Sequence, residues 1–285
     1  MWHGPAVRRR KLGEELRRLR CAAGLTSGGV AGQLGWHQSK VSRIETGRSG
    51  VRAADVARLL EVYGVDDPGL RALLEALAGA GDGGGDQWWQ AYRGLLPPQY
   101  RDFISLESQA SAARTLELSV VPGLLQTPEY ARAVTRAALG GVDAARVDSL
   151  VEVRLARQEV LRADPPLELS AVVDEAALHR EVGGAAAMRR QLRHLLAAAR
   201  LPQVRLRVLP FSSGGHIGLS GSFIIFSFPH ISDLDVVVID HLTSSLYLER
   251  REDLEAYSAA FHTVEAQALS FEESMNLIAV MADGV

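Results

Sequence analysis

Cysteine is almost absent from this chain: Cys21 stands alone among 285 residues. A single cysteine excludes an internal disulfide and a cysteine-rich metal centre. Beside Ala22 and Ala23 on an apolar helix, it is expected to be a buried packing residue. Lysine is nearly as scarce, occurring only at Lys11 and Lys40. No apolar run approaches the roughly eighteen residues that a membrane helix needs. The basic run Arg8-Arg9-Arg10-Lys11 has no apolar signal core behind it, so a cytoplasmic protein that does not engage a membrane is expected. Also missing are a zinc-protease histidine pair, a Gly-x-Ser-x-Gly elbow and a phosphate-cradling glycine loop. No catalytic residue, metal or cofactor is therefore expected.

What is present has globular composition, 47% hydrophobic and 23% charged, in a chain long enough for two domains. The net charge of -3 conceals a split. Residues 1–60 hold 12 Lys and Arg against 4 Asp and Glu, and the remainder 19 against 30. A basic module joined to an acidic body marks a nucleic-acid-binding end that the rest of the chain does not share.

Residues 79–87 are too rich in glycine to hold a regular element without a large entropy cost, and read as a linker. Before them, apolar residues recur at helical spacing in five short segments, giving an all-α domain over 1–78. Leu12, Leu16, Leu19 and Ala23 share one helix face that ends at Gly24. Thr26 is placed to cap a helix from Ser27 to Leu34, Gly35 to turn the chain, and Gln38 to Glu45 to form the next helix. From 88 to 285 the pattern predicts an α+β domain with a mixed or antiparallel sheet. Helices are expected at Phe103–Leu118, Pro128–Leu139, Asp143–Arg162, Ala185–Arg200, Asp253–Ala268 and Phe271–Met281. Short β-branched or alternating runs at Leu167–Val173, Val204–Leu209, Ser222–Phe228, Asp235–Ile239 and Ser245–Leu248 supply the strands.

Two helices crossing over a tight turn demand apolar residues on both inner faces. Val30, Ala31 and Leu34 meet that demand on the first helix, Trp36 in the turn, and Val41 and Ile44 on the second. This leaves Gln38, Ser39, Lys40, Ser42 and Arg43 facing outward as candidate base contacts. Thr26, Ser27 and Arg48 are the candidate phosphate contacts. The stretch Gly35 to Gly47 resembles the recognition helix of the Xre or phage-repressor-like family, which implies double-stranded DNA as partner and a homodimer on two half-sites. Ser27 stands where relatives usually carry a glutamine. Gly28-Gly29 together cost about 2 kcal/mol of helix propensity, and His37 replaces the usual serine cap. Weak or partner-assisted DNA binding is the expectation.

Further along, Trp88-Trp89, Leu96-Pro97, Tyr100, Phe103-Ile104 and the loop Val121 to Arg132 resemble an actinobacterial regulator family described as antitoxin-like or WhiJ-like. So do Asp174 to Leu178, Leu209-Pro210-Phe211, Gly215-His216 and Leu246 to Glu249. The resemblance implies a transcription regulator controlled by a small protein partner encoded nearby, in a toxin–antitoxin-like arrangement. Gly215 and His216 are the candidate partner or ligand residues. Two other readings stay open. The second domain could sense a small molecule, or carry a hydrolase-like site around Asp174, Glu175, His179, His216, Asp240 and His241.

Overall fold

The computed structural model describes residues 4–79, 88–92, 94–141, 143–228, 235–241 and 244–284. The expected linker at 79–87 therefore lies outside the described residues, apart from Gly79, which ends a helix. Two compact units emerge.

The first unit opens with α1 (Gly4–Ala22), α2 (Ser27–Leu34), α3 (Gln38–Glu45), α4 (Ala53–Tyr63) and α5 (Pro68–Gly79). Leu12, Leu16, Val30, Val41, Ile44, Val56, Leu59, Leu60 and Leu74 form its core, each at most 2% exposed. The unit also takes in residues 97–109, because α6 (Pro98–Glu107) packs on α1 with Phe103, Ile104 and Leu106 buried. Cys21, expected inside, is exposed. Nine residues separate it from buried Leu12, which turns an α-helix through about two and a half turns and places the thiol on the opposite face.

The second unit is built on a six-stranded mixed sheet ordered β3-β2-β1-β4-β5-β6. Its strands are β1 (Ala112–Glu117), β2 (Glu168–Asp174), β3 (Val204–Leu209), β4 (Phe223–Ser227), β5 (Val236–Asp240) and β6 (Ser245–Leu248). β1, β2 and β3 run parallel, whereas β4, β5 and β6 continue antiparallel from the other side of β1. The α+β class and mixed sheet follow the expectation, with one correction. Residues 112–117, expected to continue a helix to Leu118, form the strand from which the sheet grows in both directions.

Between β1 and β2 lie α7 (Pro128–Leu139) and α8 (Ala144–Arg157), joined through Ala131, Val147 and Val151. The short α9 (Glu175–His179) and α10 (Ala185–Ala198) connect β2 to β3. One sheet face, through Leu116, Val172, Leu209, Phe223, Ile225 and Val237, packs on Ala260, Phe261 and Val264 of α11 (Arg251–Gln267). Beside β3, the start of α12 (Phe271–Gly284) satisfies the open strand: Val208 N donates to Ser274 Oγ at 3.0 Å, and Leu269 N donates to Val208 O at 2.9 Å. This edge therefore presents no free ladder at Val208.

Candidate nucleic-acid interface

The α2–turn–α3 unit forms because its inner positions are apolar and its turn accepts a left-handed residue. Val30, Ala31 and Leu34 are buried from α2, Val41 and Ile44 from α3. Between them Gly35 sits at φ 67°, a conformation that a Cβ would strain. Thr26 caps α2 as its sequence position predicts, its Oγ1 accepting from Gly29 N at 3.1 Å. At the start of α3 the cap is weaker, as the sequence predicts. His37 is the cap, its Nδ1 accepting from Ser39 N at a long 3.5 Å and lying 3.0 Å from Ser39 Oγ.

Orientation of α3 depends on a charge pair that the sequence reading did not pick out. Arg20 on α1 grips Glu45 at the end of α3 with two bonds, Nε to Oε1 at 2.6 Å and Nη2 to Oε2 at 2.9 Å. Its remaining Nη1 donates to Leu25 O at 2.7 Å. Side-chain exposure is only 12% for Arg20 and 5% for Glu45, so solvent screens the pair weakly. The bond to Glu45 raises the guanidinium's pKa above its ordinary value. α1 comes this close because Gly13 has no side chain: a Cβ there would lie 2.7 Å from Glu45 O.

Of the candidate base contacts, Gln38, Ser39, Ser42 and Arg43 are exposed on α3. Gln38 Nε2 also donates to Ser27 Oγ at 3.3 Å, tying the outer surfaces of α2 and α3. Lys40 is held differently. Its Nζ lies 3.1 Å from Asp55 Oδ2 on α4 and 3.6 Å from the centre of the Trp36 ring. Trp36 is half-buried instead of filling the core, and Arg58 lies over the same ring at 5.4 Å while donating to Leu34 O. Lys40 thus bridges α3 and α4 while 37% of its side chain stays exposed. Arg48 is exposed just past α3, Thr26 is exposed, and Ser27 is partly so.

In the second unit the candidate His216 is no surface residue. Its side chain is 4% exposed, Nε2 lies 3.5 Å from Asp174 Oδ2, and Nδ1 has no hydrogen-bond partner among the described residues. Gly215 beside it is exposed, as are Phe211, Ile217 and Leu219 of the same loop, at 59%, 55% and 68%. Asp174 and Glu175 also hold the local backbone. Asp174 caps α9 by accepting from Ala176 N at 2.8 Å. Glu175 lies 3.1 Å from His179 Nε2 and accepts from Phe211 N at 2.7 Å. Asp240 falls on the other sheet face: Thr115, Ile224 and Val238 share one row, and Glu117 and Asp240 each lie two residues further.

Glu117 is crowded by protein yet still partly reached by solvent. Burial, with a smaller push from Asp240, raises its carboxyl to about 7, against the opposing effects of the Thr115 hydroxyl and Arg154. A folded-state pKa above the unfolded value means that stability is fully present below about 4.5 and is lost as pH rises through about 7. With partial solvation discounted, the second unit should lose on the order of 2 kcal/mol between pH 4.5 and 7 from this group. Glu117→Gln should flatten that dependence in urea titrations at pH 5 and pH 8. An unchanged slope would exclude Glu117 as its source.

Two family descriptions match the chain. That of the "Helix-turn-helix domain" covers residues 11–74, and that of the "Domain of unknown function (DUF5753)" covers residues 100–280. No curated protein and no solved structure matches. Among the described residues, no helix is long and apolar enough to cross a membrane.

Proposed function

Since the chain belongs to the DUF5753 family and carries a helix-turn-helix domain ahead of that region, we propose that it is a sequence-specific transcription regulator that reads DNA through α3. The observation that carries this reading is the exposed set Gln38, Ser39, Ser42 and Arg43 on a helix held by the Arg20–Glu45 pair. Short polar residues and an unobstructed arginine on a rigid helix suit base edges in the major groove, with Arg43 reaching guanine and Gln38 adenine. Arg48, Thr26 and Ser27 take phosphates, and a homodimer of the Xre type addresses two half-sites.

The finer part of the proposal concerns the DUF5753 region, which we read as a non-enzymatic control domain of a cytoplasmic, antitoxin-like (WhiJ-like) actinobacterial regulator. A small protein encoded nearby binds it. Support comes from Phe211, Ile217 and Leu219, large apolar side chains each exposed within the nine-residue segment that also holds buried His216. Clustered exposed apolar surface of this kind marks interaction sites.

Selection of bound duplexes from a random pool, followed by salt titrations, tests the DNA reading. A defined sequence should be enriched. Arg43→Ala should cost about 1–3 kcal/mol and relax one base position, and Arg48→Gln should lower the salt slope by about 1. Lys40→Met should weaken all sequences alike with the slope unchanged, because its ammonium already serves Asp55. No enrichment over input would exclude sequence-specific reading.

A further inference from the structure

The second unit carries an arginine face that its overall charge conceals. Residues 182–232 contain no Asp or Glu at all, although Asp and Glu outnumber Lys and Arg by 30 to 19 beyond residue 60. Within that acid-free stretch lie Arg189, Arg190, Arg193, Arg200, Arg205 and Arg207. Arg189, Arg190 and Arg193 lie on α10, and Arg200 follows its end. All four are exposed. At 100° per residue, Arg189, Arg193 and Arg200 fall within about 40° of one another if the last turn is continued, and Arg190 lies about 60° outside that arc. Buried Met188, Gln191, Leu192 and Leu195 occupy the other side of the helix.

The pairing within this face is uneven. Arg190 meets Glu129 at 3.4 Å. Arg189, Arg193 and Arg200 make no ion pair and no side-chain hydrogen bond among the described residues. Like charges four apart on a helix, as at Arg189 and Arg193, destabilise it by a few tenths of a kcal/mol. Surplus carboxylates elsewhere in the domain do nothing to relieve this pair. His194 on the same helix is held below its ordinary pKa by burial and by the charge of Arg162, so positive charge extends past α10 itself. Neutral residues on this face would give the more stable helix. The face is therefore open to an anionic occupant.

We propose that the outer face of α10, through Arg189, Arg193 and Arg200, is a second DNA-contacting surface that engages backbone phosphates. The inference rests on the DNA-binding reading above and adds to it a sequence-independent contact from within the DUF5753 region. Guanidinium groups suit phosphate oxygens. About 6 Å of helix axis separates Arg189 from Arg193 and about 10 Å separates Arg193 from Arg200, so the face can serve several phosphates at once.

The test compares the full chain on a 16-base-pair and a 40-base-pair duplex of mixed sequence, by fluorescence anisotropy between 50 and 200 mM salt. Three phosphates neutralised on the longer duplex alone add about 2.7 to the slope of log affinity on log salt, an extra loss of about 40-fold over that range. The triple variant Arg189→Gln, Arg193→Gln, Arg200→Gln should lose this excess and keep its behaviour on the 16-mer. The triple lysine variant should retain the excess, which separates charge from packing. An excess that persists in the glutamine variant overturns the proposal. Arg43→Gln with Arg48→Gln should weaken binding to both duplexes; if it weakens neither, the helix-turn-helix reading itself fails. Should the wild type bind polyglutamate and the glutamine variant lose only that, the face takes an acidic polypeptide and the DNA assignment is wrong.

Discussion

Arg20→Ala is expected to cost the N-terminal unit about 3 kcal/mol. The guanidinium satisfies both oxygens of Glu45 and the carbonyl of Leu25, so its removal strands a carboxylate that is only 5% exposed. We place the effect at the low end of the range for broken buried pairs because 12% of the Arg20 side chain still meets water. Urea titration of the full chain, followed by far-UV circular dichroism, would resolve the loss as an earlier helical transition. Arg20→Lys should not rescue it, since an ammonium cannot make the two-pronged contact. A double change, Arg20→Met with Glu45→Leu, should lose less than either single truncation, because no uncompensated charge remains. If the double variant were the least stable of the series, the pair would contribute more than its own burial explains. DNA affinity should fall with the single variants even though neither residue faces the groove, because Glu45 terminates α3.

A loss of comparable size is expected from Gln191→Leu in the second unit. Gln191 is completely buried on α10, where its Oε1 accepts from Thr127 N at 2.7 Å and its Nε2 donates to Leu125 O at 2.7 Å. Neither backbone group can turn to water, and each buried orphan costs about 1–3 kcal/mol, so about 4 kcal/mol for both. The same loop is held from other sides. Gln126 Nε2 donates to Val121 O at 2.7 Å, Val121 N donates to the Tyr130 hydroxyl at 3.1 Å, and Gln158 Nε2 reaches the carbonyls of Gly123 and Gln126. Thermal melts of the variant should show the second unit unfolding first. A change within about 0.5 kcal/mol, the ordinary surface range, would mean that the loop reorganises to satisfy itself.

These contacts show why the distinctive segment Val121 to Arg132 could be recognised in sequence while its purpose could not. It is a carbonyl-rich loop whose hydrogen bonds are met by glutamines as far away as residue 191, and no local pattern announces such a partner. The helix-turn-helix was legible because its constraints are local: a left-handed glycine, a threonine cap, and apolar residues at helical spacing. Lys40 has a partner that periodicity does not announce. Its place on α3 faces outward by periodicity, but Asp55, fifteen residues later and on another helix, draws it back. β1 was read as helix because Ala112-Ala113-Arg114-Thr115-Leu116-Glu117 is rich in good helix formers. Pairing on both sides, with β2 and β4, overrides that preference.

The position of β1 has a consequence during synthesis. Its residues leave the ribosome long before either neighbour exists: Ala112 pairs with Glu168 on one side and Ser227 on the other. At about 5–20 residues per second, the second partner arrives roughly 6–23 s after the first residues of β1 have been made. An exposed strand waiting that long would invite intermolecular pairing. Six residues are too few to hold a helix alone, but Ala112, Ala113 and Glu117 also have low β-propensity. The composition that hid this strand from pattern reading thus also makes it a poorer template for intermolecular pairing than a β-branched run until its sheet closes.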